Sequence, residues 1–66
     1  MRVIVYELGI PVETWLDGLR ALLPGALVEP WVAGAQPADY AVIWAPPQQL
    51  IDEQTRLKAI FNIGAA

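Results

Sequence analysis

A chain of 66 residues that is 56% hydrophobic, with four Lys and Arg against seven Asp and Glu and a formal charge of -3, has room for one domain at most. The acidic balance leaves no basic footprint for nucleic acid, and no apolar segment reaches the ~20 residues that cross a bilayer. With no cysteine and no histidine, neither a disulfide nor a zinc staple is available, so so small a core is expected to lean on further polypeptide or on a partner subunit.

The first predicted element is a buried strand over residues 2–8, where Val3, Ile4, Val5 and Tyr6 follow one another and Gly9 and Pro11 end the run. It opens the chain without the long apolar stretch and small-residue cleavage site of a leader. The missing cysteines fit a reducing compartment, and the segment reads as the first strand of a protein expected in the cytoplasm. The period then changes. Val12, Trp15, Leu16, Leu19, Leu22 and Leu23 recur at helical spacing, with Glu13, Thr14, Asp17 and Arg20 on the other face. Pro11 suits the first helical position, Glu13 the positive end and Arg20 the negative end. Pro24 and Gly25 stop the helix. Residues 26–32 form a second strand, and Pro30 within it, having no N–H for the ladder, puts that strand at an edge.

After a loop marked by Gly34 and Pro37 comes the run Tyr40-Ala41-Val42-Ile43-Trp44, closed by Pro46-Pro47. Five apolar residues without alternation describe a strand buried on both faces, as in a parallel sheet. A short helix from Gln48 to about Gln54 follows, with Leu50 and Ile51 facing inward. Asp52, Glu53, Arg56 and Lys58 make a solvated charged stretch. Residues 57–63 then form a fourth strand leading into Gly64-Ala65-Ala66. The order β-α-β-β-α-β gives a parallel α/β sheet. A right-handed first crossover, with Pro30 at the edge, gives the strand order 2-1-3-4 of a partial flavodoxin-like sheet. In that order the fourth strand is an apolar open edge that needs a partner.

Catalytic chemistry is sparse. Without histidine, cysteine or serine there is no imidazole base and no thiol or seryl nucleophile. The glycines form neither a dinucleotide fingerprint nor a phosphate loop. Glu13 and Asp17 share a solvated helix face, which does not make a paired-acid site. What remains is binding. Ligands of open α/β sheets sit at the carboxyl ends of the strands, where Trp44 closes the third strand and Gly64, Ala65 and Ala66 follow the fourth. The plain reading of Trp44 is a core aromatic, and that of the glycine a tight turn. The functional reading is a pocket wall beside backbone amides that hold an anion.

The segments Ala38-Asp39-Tyr40-Ala41-Val42-Ile43-Trp44 with Pro46-Pro47, and Leu57-Lys58-Ala59-Ile60-Phe61-Asn62-Ile63-Gly64-Ala65, resemble the N-terminal region of D-isomer-specific 2-hydroxyacid dehydrogenases, in the glyoxylate/hydroxypyruvate reductase branch. The helix containing Thr14-Trp15-Leu16 and ending in Leu22-Leu23-Pro24 is similar as well. The resemblance implies that residues 1–66 open the substrate-binding domain of an NADH- or NADPH-dependent, homodimeric reductase of small 2-oxo acids. Gly64, Ala65 and Ala66 would then offer amides to the substrate carboxylate, and Trp44 would wall the pocket. Ala66 stands where the branch usually has a second glycine, and it still carries an N–H. The family's dinucleotide fingerprint, arginine, glutamate and histidine have no counterpart here, so the segment alone is expected to bind no cofactor and catalyse nothing. A second reading is a complete small α/β interaction module that dimerises through its fourth strand.

Overall fold

A computed structural model describes residues 1–7 and 12–63. Four parallel strands form one sheet in the order β2-β1-β3-β4, as the sequence predicts. They are β1 (Arg2–Glu7), β2 (Leu27–Pro30), β3 (Tyr40–Trp44) and β4 (Ala59–Asn62), with helices α1 (Val12–Leu22) and α2 (Gln48–Glu53) between them. The expected end of the first strand at Leu8, Gly9 and Pro11, and the expected helical start at Pro11, lie outside the described residues.

The inner strands β1 and β3 are buried on both faces, as unalternating strands of a parallel sheet are when each face is covered. Val3, Val5, Val28 and Val42 meet Leu16 of α1 on one side. Ile4, Ala41 and Ile43 meet Leu50 of α2 and Ala38 on the other. Val3 lies opposite Tyr40, Val5 opposite Val42 and Glu7 opposite Trp44, so these residues share the α1 side.

Pro30 does sit on the edge strand. The edge is further blunted by the Arg20 guanidinium, which donates from Nε and Nη2 to the Val28 carbonyl at 3.1 and 2.8 Å. Arg2 pairs with Glu29 beside it. Both side chains are partly solvated, and an ion pair of that kind adds little stability.

Three expectations are corrected. Ile51 is 41% exposed while Leu50 is fully buried, since a six-residue helix has room for one inward position. Leu22, placed in the buried stripe of α1, is 78% exposed. The fourth strand is shorter than 57–63, and it is exposed at Ile60, Phe61 and Asn62. Gln54, at the C-cap of α2, is buried. Its Oε1 accepts from the Ala38 N–H at 2.8 Å and its Nε2 donates to the Gln36 carbonyl at 3.2 Å. Glu53 accepts from the Gly34 N–H at 3.0 Å, where Gly34 turns the chain with φ at +82°, a conformation open to glycine. The tail of α2 thereby holds the loop before β3.

At the amino end of the sheet, the Arg2 N–H donates to Asp39 Oδ2 at 2.9 Å. This bond holds the Asp39 carboxyl below its ordinary value, with Lys58 adding to the effect. A carboxylate whose folded-state pKa is depressed contributes stability above its unfolded pKa, near 3.9, that is lost as the pH falls through the lower folded value. Asp39→Asn is therefore expected to flatten the acid limb of the stability-versus-pH curve below about pH 4. Unfolding midpoints of the two proteins between pH 2 and 6 check this, and identical acid limbs would contradict it.

Candidate functional site

Three adjacent strands finish together at the carboxyl edge. β1 ends at Glu7 and β3 at Trp44, paired in register. Beyond β4 the Ile63 N–H donates to the Ile43 carbonyl at 2.9 Å, carrying the pairing on to the same edge. Residues 64–66, the expected anion-binding loop, lie outside the described residues. Of the sequence-predicted site residues, Trp44 is thus the one the structure describes.

Trp44 is half-buried and belongs to neither core cluster, unlike Val42 and Ile43 just before it. The backbone turns sharply after it. Ala45 has φ at +51°, a left-handed conformation costing a non-glycine residue roughly 1–2 kcal/mol, and two prolines with fixed φ follow. Pro47 then caps α2 in extended conformation, without a side-chain hydrogen bond.

Sequence reasoning missed Glu7. Its Oε2 is buried and has no partner among the described residues, and it stands on the same side of the sheet as Trp44. The signal available was a charged residue ending an apolar strand at the ligand-binding edge. Trp31, whose ring meets Tyr6 edge-on at 6.0 Å, has a buried Nε1 in the same condition. An aromatic wall and a carboxylate can bind and orient a small polar molecule. With no imidazole or thiol in the sequence, this edge brings no general base of the histidine type and no sulfur nucleophile.

The turn from β3 into α2 does not fit a dinucleotide. Such sites need a glycine-rich turn from strand to helix with free N–H groups. Here the turn from β3 into α2 runs through Ala45, Pro46 and Pro47, and two of these have no N–H. Among the described residues there is also no cluster of carboxylates suited to a metal ion, and no helix long and apolar enough to cross a membrane.

The chain matches no family profile. It is 41% identical over 66 residues to glyoxylate/hydroxypyruvate reductase A of Yersinia enterocolitica. It is 42% identical to the reductases of that name from Serratia proteamaculans and Klebsiella pneumoniae. The chain is a relative of glyoxylate/hydroxypyruvate reductase A. The resemblance carried by the β3 and β4 segments is thereby borne out along the whole chain, and with it the 2-hydroxyacid dehydrogenase branch. The alignments take in 98% of this chain and 21% of each relative, so it spans about a fifth of the length of the curated reductases it matches.

Proposed function

We propose that residues 1–66 form the N-terminal part of the substrate-binding domain of a cytoplasmic, homodimeric reductase of small 2-oxo acids. The observation that carries this reading is the identity of about 40% to glyoxylate/hydroxypyruvate reductases over 98% of the chain. The fold agrees with it, because a parallel sheet in the order 2-1-3-4 presents its binding edge at the carboxyl ends of β1, β3 and β4.

In this reading Trp44 walls one side of the oxo-acid pocket, and the amides of Gly64, Ala65 and Ala66 receive the substrate carboxylate. NADH or NADPH, which supplies the hydride, is held by polypeptide other than these residues, as are the groups that move the proton. This segment contributes binding and orientation.

The test compares two preparations. The native gene product is expected to have a mass several times 7.2 kDa and to oxidise NADH or NADPH when given glyoxylate or hydroxypyruvate. The isolated 66 residues are expected to do neither step and to leave nicotinamide fluorescence unchanged on titration. Saturable micromolar binding of NADPH by the isolated segment, or a native product of 7.2 kDa, would refute the reading.

A further inference from the structure

The carboxyl edge of the sheet holds an acceptor that the described fold does not use. Glu7 Oε2 is shut off from water and has no partner among the described residues, although buried polar atoms are as a rule hydrogen-bonded. The chain has four basic residues, and each stands elsewhere. Arg2 opens β1 and pairs with Glu29. Arg20 reaches the Val28 carbonyl. Arg56 and Lys58 precede β4, where the Lys58 N–H donates to the Asp39 carbonyl at 2.7 Å, at the amino end of the sheet. The indole N–H of Trp31 also lacks a partner, but that ring packs with the cluster on the opposite face.

Strand geometry places this acceptor beside Trp44. Side chains alternate between faces along a strand, so Glu7 projects on the side of Val3 and Val5. Its register partner Trp44 projects on that same side from β3, and neighbouring strands lie about 5 Å apart. The edge therefore offers an apolar ring and a carboxylate oxygen next to one another.

A carboxylate accepts hydrogen bonds and does not donate them. What fits against it is a hydroxyl or an ammonium group, and a second carboxylate is repelled. This inference rests on the reading of the edge as a 2-oxo acid pocket. Such a substrate is itself an anion, so its carboxylate must lie away from Glu7 and its far end toward it. The two oxo acids in the relatives' name differ at that end. Glyoxylate ends in a hydrogen atom, and hydroxypyruvate ends in a CH2OH group. The second brings a donor.

We propose that Glu7 is a specificity residue that accepts a hydrogen bond from the C3 hydroxyl of a 3-hydroxy-2-oxo acid, with Trp44 against the adjoining methylene. A substrate without that hydroxyl leaves the buried acceptor unsatisfied, which is the arrangement that discriminates most steeply between close analogues.

The test uses the native full-length gene product with hydroxypyruvate, with glyoxylate, and with pyruvate, which differs from hydroxypyruvate by the one hydroxyl. If none of the three is reduced, the reductase reading falls and the proposal falls with it. For an active product, kcat/KM is expected to favour hydroxypyruvate over pyruvate by about 10- to 100-fold, the usual worth of a hydrogen bond to a charged group. Glu7→Leu removes the acceptor at similar size and is expected to abolish that preference. Glu7→Gln keeps an acceptor oxygen without the charge and is expected to fall between the two. An active wild type that does not distinguish hydroxypyruvate from pyruvate overturns the proposal and leaves the reductase reading in place. So does an unchanged ratio in Glu7→Leu with a lowered unfolding midpoint, which would assign Glu7 to an internal pairing. If Glu7→Leu does not fold, the ratio in Glu7→Gln decides, and no change in it would likewise overturn the proposal.

Discussion

Leu50→Ala is expected to lower stability by about 2–5 kcal/mol, the range for deleting a fully buried leucine side chain. The upper half of that range is the expectation, for a reason particular to α2. A six-residue helix has no stability of its own, and this one lacks a side-chain cap and has no acidic residue in its first turn. Leu50, 0% exposed, is the one buried residue of α2, and it seats the helix on Ile4, Ala41 and Ile43. If α2 lifts, Glu53 and Gln54 release the Gly34 and Ala38 amides. A urea midpoint that barely moves would show that α2 is held by something other than its leucine.

Trp44→Ala in the complete enzyme is expected to raise KM for small oxo acids on the order of tenfold, equivalent to about 1.4 kcal/mol of binding. The turnover number should stay nearly constant, because a passive wall is lost equally from bound substrate and transition state. Truncating a fully buried aromatic costs about 3–5 kcal/mol of stability. Trp44 is only half-buried, so its removal should cost less than that. Steady-state kinetics and the unfolding midpoint are read together. A large fall in midpoint with unchanged KM would return Trp44 to a packing role.

Much of the architecture could be read from local chemistry. Pro30 named the edge strand because it lacks a donor, and the run from Tyr40 to Trp44 named the central one because it never alternates. The errors share a different origin. Leu22 falls in the predicted apolar stripe because its spacing is helical, and a pattern records what a residue is suited to meet. It does not record whether the partner lies within the same 66 residues. Gln54 escaped notice because its bonds reach back 16 and 18 residues, a pairing that no periodicity encodes. Glu7 escaped because its interest depends on which strand ends beside it. Trp44 was legible as a site candidate through its position alone, once the sheet was known to be parallel.

The bend after Trp44 bears on how the edge would respond to a ligand. Between Trp44 and α2 the chain passes through one alanine already in the left-handed well and two prolines whose rings fix φ. Few soft torsions remain there. A segment so constrained has little conformational freedom left to lose when a small molecule settles against it, so the ordering entropy that opposes binding to a mobile loop is largely absent. The backbone that carries Trp44 off the sheet edge is set before any guest arrives. On the proposed reading of Trp44 as a pocket wall, selectivity on that side would come from the fixed course of the backbone, which favours molecules that already match it over those that would have to reshape it.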